Sequence, residues 1–311
     1  MPRQIGALRA SAECAAMAPP WIVLRALPLD RAVRAGAAMG TAAMVLDRLN
    51  RPIAMKNLAI AFPDMDRSAH LRILRDSYRN FGRMAAEWAH FPKLSREKVI
   101  EMVGYANREH WDAAIQASGG RGILTLTGHF GNFELLSAGH AAHNNRIALV
   151  ARPIRNPLMD RAVIARRGRF GAESIPRKGA GRAVIKRLRM DWMVAIPLDL
   201  DTRTGIFVNF FTLPAATSPA LARLAIATGA PVLPAFMVRE GAAARHRITV
   251  LEPFILEGEG PRGEAARNDL VRIETQRYTA AIEQMVRRYP DHWNWIHRRW
   301  KSRPAGEKRF Y

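Results

Sequence analysis

Apolar residues follow two different rhythms along this chain, and the change falls near Tyr105. In the first hundred residues they recur at helical spacing. Leu71, Leu74, Tyr78, Phe81 and Trp88 are separated mostly by three- and four-residue steps, which predicts a helix starting at Asp66 or Ser68 and reaching about His90. Pro52 opens a shorter helix that should stop before Pro63, and residues 19–49 read as one or two helices broken at Pro28. Residues 1–18, small and mixed in polarity, read as a poorly ordered tail.

Beyond Tyr105, short β-prone runs alternate with helical stretches. The runs are Ile123–Thr127, Ile147–Ala151, Met193–Leu198, Ile206–Phe210, Val232–Val238 and Arg247–Leu251. Helices are predicted near 132–143, 156–168, 180–189, 217–229 and 265–289. The alternation predicts an α/β fold, a mixed sheet flanked by helices, carrying a helical N-terminal part. Residues 19–104 form the helical part in this reading and residues 105–311 the α/β domain.

Composition narrows the class. Hydrophobic residues make up 49% of the 311, enough for a substantial core. A single cysteine, Cys14, excludes an internal disulfide and a cysteine-based zinc site. Lys and Arg outnumber Asp and Glu by 48 to 27, a net charge of +21 that points to an anionic partner: nucleic acid, membrane surface, phosphorylated lipid or acidic carrier protein. No helix-turn-helix, RNP or zinc-finger pattern supports nucleic acid. No run reads as a spanning helix or signal peptide; 21–29 is short and holds Arg25 and Pro28. The N-terminal helices read either as an interfacial element on a membrane, arginines toward lipid phosphate, or as amphipathic helices packed on the core.

Candidate chemistry centres on Thr127-Gly128-His129-Phe130-Gly131-Asn132-Phe133-Glu134. An imidazole follows a buried strand, and a carboxylate lies five residues on. Residues five apart on one helix lie about 140° apart, so the two meet only if His129 precedes the helix and Glu134 sits in its first turns. Gly128 and Gly131 permit that turn. Glu134 would then hold one imidazole nitrogen as N–H and leave the other as a base.

In its ordered blocks the sequence resembles the bacterial lipid A late acyltransferases (lauroyl/myristoyl type), within the wider lysophospholipid and glycerolipid acyltransferase group. The blocks are Asn57-Leu58 with Phe62-Pro63, the His129/Glu134 segment, Ala151-Arg152-Pro153 with Asn156-Pro157, Leu198-Asp199-Leu200-Asp201 followed by Gly205 to Phe211, and His297 to Pro304. Phe133 departs from the Trp that many relatives carry, and the N-terminal membrane helix is weaker than in the family. The resemblance implies transfer of a fatty acyl chain from an acyl carrier protein thioester to a hydroxyl of a lipid A precursor at the cytoplasmic face of the inner membrane. It implies no cofactor and no metal. His129 would be the general base and Glu134 its orienting group, with oxyanion donors from the helix N-terminus or Asn132.

Basic residues near the predicted strand ends suit phosphate: Arg152 foremost, then Lys178 and Arg182, with Arg169 behind them. Asp199 and Asp201, two apart, suit acceptor-sugar contacts or a salt bridge. The competing reading is a divalent metal site, as in a metal-dependent glycosyltransferase. Phe130, Phe133, Phe207, Phe210 and Phe211 are candidate linings of an acyl cleft or core residues. Trp293–Trp300 reads as a lipid contact or as core, and a lysophospholipid remains an alternative acceptor.

Overall fold

A computed structural model describes residues 4–256 and 263–311. The chain opens with helices α1 (Ala7–Ala26), α2 (Leu29–Leu46), α3 (Arg51–Ala61), α4 (Arg67–His90) and α5 (Arg96–Met102). It then enters the sheet through β1 (Val103–Ala106), α6 (Arg108–Ser118), β2 (Ile123–Thr127), α7 (Phe133–Ala142), β3 (Ile147–Ala151), α8 (Pro157–Arg167), β4 (Glu173–Pro176), α9 (Ala180–Leu188) and β5 (Met193–Pro197). A hairpin of β6 (Ile206–Phe210) and β7 (Leu213–Thr217) follows, then α10 (Ala220–Thr228), β8 (Val232–Arg239), β9 (His246–Val250) and α11 (Glu264–Arg288).

The expected tail is helical from Ala7 to Ala26, outside Met1–Arg3, which lie beyond the described residues. Its helix is tied down: the Asn156 side chain donates to Ala10 O at 3.0 Å and to Glu13 Oε2 at 3.2 Å. Asp66 caps α4 by accepting from Ala69 N, as its position predicts. The strands β1, β4 and β7 and the helices α5 and α6 are additions to the sequence reading. β1 and β4 are four-residue edge strands, too short to show a period.

Seven strands form one mixed sheet in the order β1-β9-β8-β2-β5-β3-β4, with only β8–β9 antiparallel. Central strands read as unbroken apolar runs because both faces are covered. Along β2, Leu124 and Leu126 enter one core with α3, α9, α10, α11 and the C-terminal tryptophans, while Ile123 enters a second with α5, α6 and α7. Met44, Leu58 and Leu74 from the N-terminal helices lie in the first core beside Trp293 and Trp300. The parts read as separate at 104/105 therefore share apolar packing.

Trp293, Trp295 and Trp300 are fully buried, which removes the lipid-contact reading of that segment. Asn57 Nδ2 donates to Trp295 O and His297 O, each at 2.7 Å, so the upstream Asn-Leu block anchors the C-terminal one.

α2 and α4 cross at glycines. A Cβ on Gly82 would stand 1.9 Å from Gly36 O, and one on Gly40 2.1 Å from Tyr78 O. Alanine at an open helical site gains about 1 kcal/mol over glycine. Here the sign reverses: Gly82→Ala is expected to lower the thermal unfolding midpoint, measured by circular dichroism.

Candidate active site

β2, β5, β3 and β4 lie side by side and parallel, so their carboxyl ends open on one edge, where α/β sheets bind ligands. The residues just beyond those ends are Gly128-His129, Leu198-Asp199, Arg152 and Arg177. Between β2 and α7 the chain turns at Gly131, with φ +56°; a Cβ there would collide with Met237 O at 1.9 Å. That turn puts His129 ahead of α7 and Glu134 in its first turn, as the spacing predicts.

The imidazole is oriented by Asp199 instead of Glu134. His129 Nδ1 lies 3.0 Å from Asp199 Oδ1, and His129 N donates to Asp199 Oδ2 at 2.8 Å. Trp293 Nε1 also donates to Oδ2, at 3.1 Å. Burial opposes ionisation of Asp199, but the His129 charge and hydrogen bonds outweigh it and hold its carboxyl at about 2. A carboxylate only accepts, so Nδ1 carries the proton, and in the neutral ring Nε2 keeps its lone pair. Burial disfavours the imidazolium, yet the charge and hydrogen bond of Asp199, with Glu134 adding to them, raise His129 above its usual 6.5.

Glu134 is taken by Arg167. Arg167 Nε donates to Oε2 at 2.8 Å and Nη2 to Oε1 at 2.7 Å, a bidentate pair with both side chains mostly buried. The carboxylate acts on His129 through space, without a hydrogen bond to it.

His129, Phe133, Glu134, Arg152 and Arg167 line one cavity of about 800 Å³, joined by Arg177 and Arg223. Leu136, Leu149, Val184, Ile196, Leu198 and Leu224 make its apolar wall. Of the five candidate phenylalanines, only Phe133 lines it. Phe130, Phe210 and Phe211 are core residues, and Phe207 faces a different depression.

Four further expectations need correction. Asn132 is buried and its side chain is spent: Nδ2 donates to Glu87 at 2.7 Å, and Oδ1 caps α7 at Leu135 N. The Phe133 and Glu134 amides, in the first turn of α7, have no intrahelical acceptor. Lys178 falls outside the cavity lining, although its neighbours Arg177 and Gly179 are in it. Arg182 lies in an outer depression with Lys186 and Arg189. Asp201 faces away, holding Ser302 N at 3.0 Å and Ser302 Oγ at 3.1 Å. Asp199 and Asp201 thus serve separate partners instead of sharing one ion. Among the described residues no His, Cys, Asp and Glu cluster has metal-binding geometry.

Sequence reasoning missed Arg167, Arg177, Arg223 and the role of Asp199. The signal for Asp199 was its place directly after an apolar strand, like His129; that β5 pairs with β2 is a matter of strand order, which no local pattern encodes.

An imidazole paired with a buried carboxylate, at the mouth of an apolar cleft rimmed by arginines, is an arrangement suited to activating a hydroxyl beside an apolar chain. The chain matches the profile of the bacterial lipid A biosynthesis acyltransferases over residues 12–302, and it belongs to that family. Among its relatives, a phosphatidylinositol mannoside acyltransferase of Mycobacterium tuberculosis is 26% identical, the match covering 92% of this chain and 87% of the relative. The lipid A biosynthesis lauroyltransferase of Escherichia coli is 27% identical over 92% of this chain and 90% of its own. The palmitoleoyltransferase of the same organism is 25% identical over 89% and 87%. The protein is an acyltransferase.

Two variants separate the carboxylates. Asp199→Asn is expected to lower kcat by on the order of 100-fold and to shift the acidic limb of the kcat/KM profile to lower pH. In the wild type that limb is expected above the ordinary histidine range, because a base must be neutral and Asp199 raises the His129 pKa against the effect of burial. Glu134→Gln should act mainly on stability, since it strands a mostly buried guanidinium, costing about 3 kcal/mol. Pairing Glu134→Leu with Arg167→Met should restore much of the melting temperature.

Proposed function

We propose that this chain transfers a fatty acyl group from an acyl carrier protein thioester to a hydroxyl of a phosphorylated glycolipid of the lipid A precursor class. The observation that carries the reading is the His129–Asp199 pair opening into an apolar cleft with an arginine rim. His129 Nε2 takes the acceptor proton as the oxygen attacks the thioester carbonyl. The oxyanion is held by the Phe133 and Glu134 amides at the start of α7. Its collapse forms the ester and expels the thiolate, which takes the proton back from the imidazolium. No acyl-enzyme and no cofactor enter this scheme. The net charge of +21 suits an acidic carrier protein.

The mycobacterial relatives favour a second acceptor class. Their name specifies a mannosylated phosphatidylinositol, so a glycosylated phospholipid stands beside the lipid A precursor as acceptor.

The same proposal places the enzyme on the cytoplasmic face of the inner membrane, held by residues 19–104. No helix among the described residues is long and apolar enough to cross a membrane. Ile22, Val23, Met39, Val45, Leu46 and Leu49 are exposed on or just after α1 and α2, and Met39 also lines an apolar groove of about 350 Å³ between α2 and α4. Exposed apolar side chains with nearby arginines suit interfacial binding to anionic lipid.

Membranes carrying wild type or His129→Ala, given carrier-protein thioester and an under-acylated lipid A precursor, test the reaction by mass spectrometry. One added acyl chain, lost in the variant, is expected; transfer only to a parallel lysophospholipid or mannosylated phosphatidylinositol would change the acceptor. Raising salt should raise the donor KM. Replacing Ile22, Val23, Val45 and Leu46 with Ser should release the protein from anionic vesicles in sedimentation while leaving its circular dichroism unchanged.

A further inference from the structure

The cleft holds more positive charge than proton transfer requires. Arg152, Arg167, Arg177 and Arg223 line it, and Glu134 is the sole acidic side chain in the lining. Glu134 is bound to Arg167. Asp199, beneath the wall, is engaged by His129 and Trp293. Arg152, Arg177 and Arg223 remain, none with a carboxylate or a side-chain hydrogen bond among the described residues.

Two of the three are held side by side. Ala151 pairs with Pro176 across β3 and β4, and Arg177 N donates to Ala151 O at 2.9 Å. Arg152 and Arg177 are therefore the residues immediately beyond the last paired positions of two adjacent parallel strands, whose backbones run about 4.8 Å apart. Like charges at neighbouring strand positions repel. Arg223 approaches from α10, which touches α9, the helix that Arg177 leads into. Arg152, Arg177 and Arg223 are exposed and line one cavity with no acid paired to them, so a polyanion suits them, and their planar forks match phosphate oxygens.

We propose that Arg177 and Arg223 complete, with Arg152, a subsite for a phosphate ester carried by one of the two substrates. This rests on the acyltransferase reading above. β4 lies three strands from β2, so Arg177 stands roughly 14 Å across the sheet from the chain end that bears His129. That separation fits a phosphate set back from the reacting group by a sugar ring on the acceptor, or by a pantetheine arm on the donor.

The test uses the full chain in vesicles with Arg177→Gln/Arg223→Gln. Donors are the carrier-protein thioester and a phosphate-free acyl pantetheine; acceptors are the phosphorylated lipid A precursor and its dephosphorylated form. The double variant should raise KM for one phosphorylated substrate about tenfold or more, with kcat at saturation within about threefold. The rise should vanish when that substrate lacks its phosphate, which identifies the source. Arg182→Gln/Lys186→Gln removes the same charge outside the cleft and should leave both KM values near wild type. An unchanged KM for both substrates, a rise that persists without phosphate, or an equal rise in the outer control overturns the proposal.

A second arm needs no turnover. Binding of the His129→Ala protein to vesicles bearing the phosphorylated precursor, and to holo acyl carrier protein, is compared with that of the triple variant adding Arg177→Gln and Arg223→Gln. Loss of either binding supports the subsite, and retention of both overturns it. A wild type that transfers no acyl group would sink the acyltransfer scheme while this arm still decides the subsite.

Discussion

The carboxylate of Asp199 is the joint on which the site depends. It accepts from the backbone and the ring of His129 and from the indole of Trp293, and so ties the end of β2, the end of β5 and the C-terminal segment at one buried point. Gly128 lets that carboxyl come close; a Cβ there would stand 3.0 Å from Asp199 Cγ. The two titrations link to stability with opposite signs. Asp199 is held below its ordinary value, so its contribution is present at neutral pH and lost as pH falls toward about 2. His129 is held above its ordinary value, so its contribution is full below about pH 6.5 and lost as pH rises through the higher folded value. The paired form is favoured between those limits, whereas a base needs the neutral ring at their upper edge.

The turn carrying the motif is fixed from beneath as well. Glu87 of α4, fully buried, accepts from Arg239 at 2.6 and 2.8 Å, from Asn132 at 2.7 Å, and lies 3.1 Å from His246 Nε2. Burial works against its charge, but His246 and Arg239 hold its carboxyl at about 2. Asn132 thus joins the N-terminus of α7 to an ion cluster spanning α4, β8 and β9. Asn132, which looks like a site residue in the linear motif, is in three dimensions an anchor of the turn, whereas Glu134 lines the cleft and is held there by Arg167.

That difference marks how far the sequence could be read. Elements with a long or regular pattern were legible: β2, β3 and β6 match their apolar runs to the residue, and α4 starts after its Asp66 cap. So was the position of His129 after a strand and before a helix. Which carboxylate meets its ring was not legible, because that depends on β5 lying next to β2 although 65 residues separate Thr127 from Met193. Lys178 and Arg177 illustrate the same limit. They are neighbours in sequence, yet only Arg177 reaches the cavity, because it continues β4 in register with β3. In a chain with 48 basic residues, composition reports the charge and strand register selects which of it matters.

The cleft itself is amphipathic in a way that follows from the sheet edge. Leu149, Ile196 and Leu198 lie on or just after the central strands beneath it, while Arg152 and Arg177 stand just beyond the ends of β3 and β4, and Arg167 and Arg223 reach it from α8 and α10. A ligand with an apolar chain and an anionic head can bury the first against the strands and meet the second at the rim without stranding either in the wrong medium. A small polar substrate would leave the apolar wall wet, and a plain hydrocarbon would leave the guanidiniums unpaired in each other's field. Acyl lipids bearing phosphate satisfy both walls at once, and the Nε2 lone pair of His129 opens into the same space.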